Sequence, residues 1–266
     1  MIRISALIAM LLPLTAAAQS PPAPAEAPRK IVPYKIVLVG DSTTAVVGGW
    51  GPSFCALHVT SFAACVNLAR GGRSSGNYRS EGSWDIALNE MRTPGYKATW
   101  VLIQFGHNDQ PGKPGRSTDL ATEFPANLAR YVDEVRAAGA VPVLVTPLTR
   151  RSFKDGALQN DLAPWAEAIR RVAAQKQVAL VDLNARSAAA VQAMGEDAAD
   201  RFAQLPKGSA PTGQERTTEG QEQPMARAKL SFDRTHLGRE GADYFATMMT
   251  AELAKAVPDM RHLLIP

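Results

Sequence analysis

Four short polar segments of this chain combine residue types that hydrolytic enzymes use, and three of them follow predicted strands. Residues 40–44 place Ser42 on a strand-to-helix turn, which can present its hydroxyl outward beside the amides of a helix N-terminus. Residues 71–74 contain paired glycines, through which backbone amides can approach a ligand closely. Residues 106–109 contain Asn108, whose side-chain amide can donate a hydrogen bond to an oxyanion.

The fourth segment, residues 233–236, has the sequence Asp-Arg-Thr-His and precedes a predicted helix. A histidine acts as a base when a partner holds one ring nitrogen and the other nitrogen is free. Asp233, three residues before His236, can supply that partner locally. The chain has only four histidines, so a chance match is infrequent. The segment therefore predicts an oriented base.

Each segment also has an ordinary structural explanation. Aspartate and serine after a strand are common helix caps, a glycine pair makes a tight turn, and a histidine can follow a cap by chance. His107 and Asp109 are potential metal ligands, but no partner ligands accompany them, so we expect no metal. The chain lacks Gly-x4-Gly-Lys-Ser/Thr and lacks Gly-x-Gly-x-x-Gly after a strand, which excludes the P-loop and dinucleotide motifs.

The elements that position these segments alternate between buried strands and helices. Five runs rich in Val, Leu and Ile are predicted as strands: residues 36–39, 64–68, 100–105, 141–145 and 178–181. Such unbroken apolar runs suit a parallel sheet covered on both faces. In parallel sheets, ligands bind beyond the carboxyl ends of the strands, and three of the polar segments fall there.

Apolar residues at helical spacing fill the intervals between these strands. Two helices are predicted from an apolar face: one runs from Phe124 to Val135 and ends at Gly139, and the other contains Trp165, Ile169 and Val172. The alanine-rich segments 183–194 and 241–256 are predicted as two further helices. This alternation predicts one α/β domain with a doubly wound sheet.

Composition sets the broad class. The chain has 266 residues, 45% hydrophobic and 20% charged, so it can bury one large core and is neither fibrous nor wholly disordered. The formal net charge is +4 and no Lys/Arg run exceeds two residues, so we expect no nucleic-acid partner. Two cysteines exclude a disulfide-built mini-protein; Cys55 and Cys65 are either bonded or two buried thiols.

The N-terminal region is expected to lie outside the folded domain, which we predict over residues 31–266. Residues 1–18 have the pattern of a signal peptide: Arg3, an apolar stretch, and small residues that end at Ala18. The apolar stretch is about half the length of a spanning helix, so we predict export rather than an uncleaved anchor, with no stable membrane insertion. Periplasmic and secreted locations both remain open. Residues 19–30 form a Pro/Ala-rich leader.

Residues 206–229 interrupt the pattern with a polar insertion loop that contains Gly and Pro. The loop has almost no apolar anchors, which is typical of a solvated surface segment. The alternative is a flap over a site, since long loops without regular structure are often functional. Because the loop ends just before Asp233, a flap would reshape the cleft.

In their order along the chain, the four segments resemble the SGNH (GDSL-type) hydrolase superfamily, over residues 36–245. The family pattern is Gly-Asp-Ser, a glycine in the second block, Gly-x-Asn-Asp, and Asp-x-x-His. It falls on Ser42, Gly72, Asn108, Asp233 and His236. Finer details resemble the rhamnogalacturonan acetylesterase branch: Thr43 after the serine, Gly-Trp-Gly at 49–51, NLARGGRS over 67–74 and DRTH over 233–236.

The resemblance implies a flavodoxin-like, three-layer α/β/α sandwich around a mainly parallel five-stranded sheet. It also implies a serine esterase that needs neither cofactor nor metal. Ser42 would be the nucleophile, His236 the base and Asp233 its orienting partner. The backbone amides of Ser42 and Gly72 and the side-chain amide of Asn108 would form the oxyanion hole. The α/β-hydrolase class is rejected because residues 40–44 lack the second glycine of Gly-x-Ser-x-Gly.

The substrate that the resemblance favours is an acetylated polysaccharide or oligosaccharide, first of all pectic rhamnogalacturonan, and we expect a monomer. Residues near the site in sequence are expected to line a sugar groove, with core or surface packing as the alternative for each: Asp41, Trp50, Arg73, Tyr78 and Trp84. Three other functions stay open. They are a lipolytic or aryl esterase or thioesterase of the same superfamily, a glycan O-acetyltransferase, and a non-catalytic carbohydrate-binding protein.

Overall fold

The computed structural model describes residues 31–212 and 230–266. The chain divides into two units, Met1–Ile31 and Val32–Pro266, and the architecture below belongs to the second. The predicted signal peptide, the leader and most of the insertion loop lie outside the described residues. Within the described part of the chain, no helix has the length and apolar content that crossing a membrane requires.

A five-stranded parallel sheet forms the centre of the second unit. Its strands are β1 (Tyr34–Gly40), β2 (Ala63–Asn67), β3 (Thr99–Gln104), β4 (Val141–Val145) and β7 (Ala179–Val181). They lie in the order β2-β1-β3-β4-β7, and all four neighbouring pairs are parallel. Two short strands, β5 (Phe153–Lys154) and β6 (Ala157–Leu158), form a separate hairpin. The predicted strands and their parallel arrangement are confirmed.

Helices cover both faces of this sheet, as the unbroken apolar strands require. They are α1 (Gly51–Leu57), α2 (Asn77–Ser80), α3 (Ser83–Met91), α4 (Glu123–Ala137), α5 (Ala163–Lys176), α6 (Leu183–Met194), α7 (Glu196–Asp200) and α8 (Arg239–Ala256), followed by a 3-10 turn at Pro258–Leu263. Successive β1 residues point to opposite faces. Ile36 and Leu38 pack with α1, α6 and α8, whereas Val37 and Val39 pack with α3, α4 and α5. The predicted α/β fold class is confirmed.

Cys55 of α1 and Cys65 of β2 form a disulfide. This bond ties the helix to the edge strand of the sheet and closes a loop of ten positions. Of the two states that the sequence leaves open for these cysteines, the structure has the bonded one.

Candidate active site

Three of the four polar segments lie at the carboxyl edge of the sheet. Residues 40–44 leave β1, residues 71–74 come shortly after β2, and residues 106–109 come directly after β3. Because β2, β1 and β3 are parallel neighbours, their carboxyl ends meet at one edge. The sheet topology therefore brings together segments that are distant in sequence.

Hydrogen bonds between buried residues and close packing against β3 hold the turn that carries Ser42. The Asp41 carboxylate accepts hydrogen bonds from the backbone amide and the hydroxyl of Thr43, both at 2.8 Å. Gly40 allows the turn to sit against β3, because a Cβ there would lie 2.6 Å from the Gln104 carbonyl oxygen. Asp41 and Thr43 are fully buried, whereas Ser42 is partly exposed. The candidate nucleophile thus lies between two buried residues that fix the turn, while Ser42 itself remains accessible.

Residues 233–236 approach this turn from the chain segment before α8. The Nε2 atom of His236 lies 2.9 Å from Ser42 Oγ, and its Nδ1 atom lies 2.9 Å from Asp233 Oδ2. The other carboxylate oxygen of Asp233 accepts the backbone amides of Thr235 at 2.7 Å and of His236 at 2.6 Å. A carboxylate on Nδ1 places the ring proton there, which leaves Nε2 free to accept the serine proton.

The electrostatics of Asp233 favour its ionised form. Burial alone would raise the pKa of this carboxyl, but the hydrogen bond from His236, the charge of that ring when protonated and two backbone amides outweigh burial. The pKa of Asp233 therefore lies below its ordinary value. The carboxylate stays available to hold the imidazole through the whole neutral range.

The three amide groups predicted to bind an oxyanion belong to the segments that meet at this edge of the sheet. Within residues 31–212 and 230–266, the backbone amides of Ser42 and Gly72 have no hydrogen-bond acceptor. Gly71 is in contact range, since a Cβ there would lie 3.6 Å from Ser42 Cβ. The Asn108 side-chain amide donates one hydrogen to the Arg73 carbonyl at 3.1 Å, which fixes its orientation and leaves its second hydrogen free.

Arg151 also belongs to the site, although no sequence pattern predicts it. Its guanidinium is fully buried and donates to the backbone carbonyls of His236 at 2.8 Å, Asp233 at 3.1 Å and Thr235 at 3.4 Å. Its own backbone amide donates to the Arg234 carbonyl at 2.8 Å. Burial lowers the pKa of Arg151 to about 10, so the group still carries its charge at neutral pH. One cation therefore holds three carbonyls of the segment that contains the histidine and its partner.

Replacing Arg151 with methionine should lower kcat by about 100-fold with little change in KM, because a displacement near 1 Å of a catalytic group costs that much. The measurement is steady-state hydrolysis of a small acetyl ester together with the thermal midpoint. Arg151→Lys keeps one charge but not the fork geometry and should recover part of kcat. A folded Arg151→Met protein with wild-type kcat would contradict this role.

The structure corrects most of the predicted sugar-groove residues. Trp50 and Tyr78 have no exposed surface and Trp84 has 2%, and each belongs to one of the two hydrophobic cores. Their polar atoms are used inside the protein: Trp50 donates to Gln104 at 3.0 Å and Tyr78 to the Leu68 carbonyl at 2.8 Å. These aromatic residues pack against the sheet, and with so little exposed surface they cannot contact a bound sugar.

The two remaining groove predictions have different outcomes. Asp41 is buried under the nucleophile turn, 3.3 Å from the ring of the buried His107, so it supports the turn and does not reach a sugar. Burial would raise the pKa of Asp41, but its electrostatic interaction with the His107 ring and the hydrogen bonds from Thr43 keep it below its ordinary value. Arg73 is partly exposed at the site, where it pairs with Glu81 at 2.7 Å.

His107 and Asp109, the possible metal ligands, are both buried and serve separate parts of the fold. Asp109 accepts the backbone amide of Ser75 at 3.0 Å and the hydroxyls of Ser75 at 2.6 Å and of Thr118 at 3.0 Å. Throughout the described ranges, 31–212 and 230–266, no group of three His, Cys, Asp or Glu side chains is arranged to hold a metal ion.

Asp109 should make the free energy of unfolding depend on pH. Burial raises the pKa of its carboxyl to about 6, although hydrogen bonds from Ser75 and Thr118 oppose the rise. The folded protein therefore binds this proton more tightly than the unfolded chain does. The group's contribution to stability is present at about pH 4 and is lost as pH rises through about 6, with an amplitude on the order of 3 kcal/mol.

Urea unfolding of the wild type and of Asp109→Asn across this pH range isolates the effect, because the asparagine does not titrate. The wild type should lose stability relative to the variant as pH rises. A constant difference between the two proteins would show that Asp109 is ionised in both the folded and unfolded states.

Comparisons with known proteins agree with this geometry. The sequence matches the GDSL-like lipase/acylhydrolase family over residues 38–244. It is 34% identical over 169 residues to the probable rhamnogalacturonan acetylesterase YesY of Bacillus subtilis (strain 168), covering 61% of this chain and 76% of that protein. It is also 34% identical over 178 residues to the rhamnogalacturonan acetylesterase RhgT of the same organism, covering 64% and 73%.

The fold has solved counterparts as well. A crystal structure of the Bacillus subtilis protein YXIM superposes with a TM-score of 0.63 at 21% identity, covering 85% of this chain and 57% of that one. At this identity the likeness concerns the fold. The family match spans most of the chain and includes all four polar segments. From the shared sequence and the parallel five-stranded sheet, this chain belongs to the GDSL-like lipase/acylhydrolase family.

Proposed function

We propose that this protein is a carboxylic ester hydrolase that removes O-acetyl groups from a plant-type polysaccharide through an acyl-serine intermediate. The observation that carries the proposal is the continuous contact from Ser42 through His236 to Asp233, with both distances at 2.9 Å. A hydroxyl, an imidazole and a carboxylate in this geometry form a catalytic triad, in which the imidazole removes the proton of the hydroxyl and the carboxylate orients the imidazole. The two curated relatives are named as rhamnogalacturonan acetylesterases. Their names support acetyl as the acyl group and a polysaccharide as the substrate.

Acylation begins when Ser42 Oγ attacks the acetyl carbonyl carbon and His236 Nε2 takes the serine proton. The tetrahedral intermediate carries a negative oxygen, which accepts hydrogen bonds from the amides of Ser42, Gly72 and Asn108. Because these donors are held in place before the substrate arrives, they stabilise the charge without reorganisation. His236 then gives its proton to the sugar oxygen, and the deacetylated sugar leaves.

Deacylation repeats these steps with water in place of the serine. His236 accepts a proton from the water, which attacks the acetyl-serine ester, and the same amides hold the second oxyanion. Collapse of this intermediate returns the proton to Ser42 Oγ and releases acetate. Asp233 accepts the Nδ1 hydrogen throughout and stabilises the imidazolium that forms twice in the cycle. Each step uses only side chains and amides of this chain and water.

Pectic rhamnogalacturonan is the substrate we place first, on the strength of the two curated relatives. A polymer of the plant cell wall can be reached only outside the cell, and we propose that the protein is exported with cleavage near Ala18. The apolar stretch after Arg3 supports this, and so does the disulfide between Cys55 and Cys65, since such bonds persist in oxidising compartments.

The experiment is acetate release from a panel of acetylated glycans that includes pectic rhamnogalacturonan and xylan, beside a p-nitrophenyl ester series of rising chain length. We expect acetate from rhamnogalacturonan and a preference for the shortest ester. Turnover of long esters without glycan activity would assign a lipolytic or aryl esterase. Acetyl transfer that requires a sugar acceptor would assign a transferase, and inactivity of the folded protein on every ester would leave a binding protein.

A further inference from the structure

Basic side chains lie on both sides of the nucleophile and are not used by the mechanism. Arg116 Nη1 lies 3.5 Å from the carbonyl oxygen of Gly72, the residue whose amide faces the oxyanion position. Arg150 Nε lies 3.2 Å from the hydroxyl of Thr235, the residue before His236. The guanidinium groups thus contact the two segments that flank the reacting ester.

Lys113 lies within electrostatic range of both arginines and is partly buried. Burial lowers the pKa of its ammonium group, and the positive charges of Arg150 and Arg116 lower it further, against the opposing carboxylates of Asp41 and Asp161. We name Lys113, Arg116 and Arg150 the basic arc. Its members repel one another, which costs free energy in the unliganded protein.

Carboxylates of the described chain neutralise only one end of the basic arc. Arg150 pairs with Asp161, whose side chain is half exposed. Across residues 31–212 and 230–266, neither Lys113 nor Arg116 has a carboxylate oxygen within 4.0 Å. The neighbouring Arg73 is neutralised by Glu81, so it leaves no spare charge for a ligand. Within these ranges, Arg116 beside Gly72 and the neighbouring Lys113 therefore have no anionic partner.

We infer that the basic arc binds a sugar carboxylate beside the acetyl ester, so that these side chains, Arg116 first, determine the selectivity for an acidic glycan over a neutral one. This inference rests on the proposed function and assigns residues to its substrate selectivity. Galacturonate residues give rhamnogalacturonan a carboxylate in every repeat, whereas the xylan backbone is neutral. Arginine binds a carboxylate with two parallel hydrogen bonds, and lysine adds a point charge.

Binding of unacetylated sugars tests the arc apart from catalysis. The probes are a short oligogalacturonate and a neutral xylo-oligosaccharide, titrated calorimetrically into the Ser42→Ala protein. We expect the oligogalacturonate to bind more tightly than the neutral sugar, with a Kd that rises with salt because screening weakens exposed charge pairs. Adding Arg116→Gln should raise that Kd by about tenfold, the usual effect of losing a hydrogen bond to a charged group.

Arg92→Gln is the matched control. Arg92 is an exposed cation at the end of α3, and the Lys35–Glu90 pair places that helix end at the amino edge of the sheet, away from the site. This variant removes the same charge and should keep the wild-type Kd. Equal oligogalacturonate affinity in Arg116→Gln and Arg92→Gln, or no preference over the neutral sugar, overturns the inference.

Catalysis gives a second readout. In the active protein, the ratio of kcat/KM for acetylated rhamnogalacturonan oligosaccharides to that for acetylated xylo-oligosaccharides should fall about tenfold in Arg116→Gln, mainly through KM. An unchanged ratio would contradict the basic arc while leaving the esterase intact. Loss of all acetate release with oligogalacturonate binding retained would instead contradict the proposed reaction and support the arc.

Discussion

Replacing Ser42 with alanine is expected to lower kcat for acetate release by about 10⁵-fold or more, since loss of a catalytic serine nucleophile has effects of this size. The Ser42 hydroxyl contacts His236 Nε2 at 2.9 Å and is partly exposed, so its removal leaves no buried polar group without a partner. The fold and the thermal midpoint should therefore stay close to those of the wild type. Acetate release and a p-nitrophenyl acetate assay measure the loss.

Ser80→Ala is the matched control, because Ser80 is an exposed serine in α2. Among the described residues, its hydroxyl makes only a long hydrogen bond of 3.4 Å, to the Asn77 carbonyl. It should keep full activity. The Ser42→Ala protein should retain a weak residual rate, because the oxyanion donors still act on water attack. Full activity in Ser42→Ala would remove the acyl-serine mechanism.

The fold could be predicted from sequence because strands that are buried on both faces are continuous apolar runs, without alternating polar residues. The runs predicted at 36–39 and 141–145 lie within β1 and β4, and the apolar face from Phe124 to Val135 is fully buried in α4. Local signals of this kind need no knowledge of distant residues. The triad candidates could be found for a similar reason, since Asp233 and His236 meet within one turn of chain.

The incorrect groove predictions share one cause, which is that proximity in sequence does not determine the direction of a side chain. Trp50 and Tyr78 follow predicted catalytic segments along the chain, yet each packs into one of the two hydrophobic cores. There Gln104 and the Leu68 carbonyl accept their polar hydrogens. Arg151 could not be predicted for a different reason, which is that its contacts are distant in sequence. It is more than 80 positions from the carbonyls that it binds, and a second arginine precedes it, so nothing local distinguishes the buried one.

Replacing Asp233 with asparagine is expected to lower kcat by about 10⁴-fold without unfolding the protein. The two carboxylate oxygens of Asp233 accept hydrogen bonds from different groups. Oδ1 accepts the backbone amides of Thr235 and His236, and an asparagine carbonyl oxygen can keep both bonds. Oδ2 accepts Nδ1–H of His236, and an amide NH₂ in its place can only donate. The ring would then present its proton to Ser42 and could not accept one.

This separation makes the measurement specific. Asp233→Ala would lose the backbone bonds as well as the carboxylate, so a slow alanine variant alone could reflect a displaced loop. Asp233→Asn keeps the loop bonds, and a thermal midpoint near that of the wild type would assign the lost rate to the tautomer of His236. Asp85→Asn, at an exposed aspartate in the first turn of α3, is the matched control and should keep full activity. A folded Asp233→Asn protein with wild-type kcat would mean that His236 does not need this carboxylate, and Asp233 would then be a cap for its loop only.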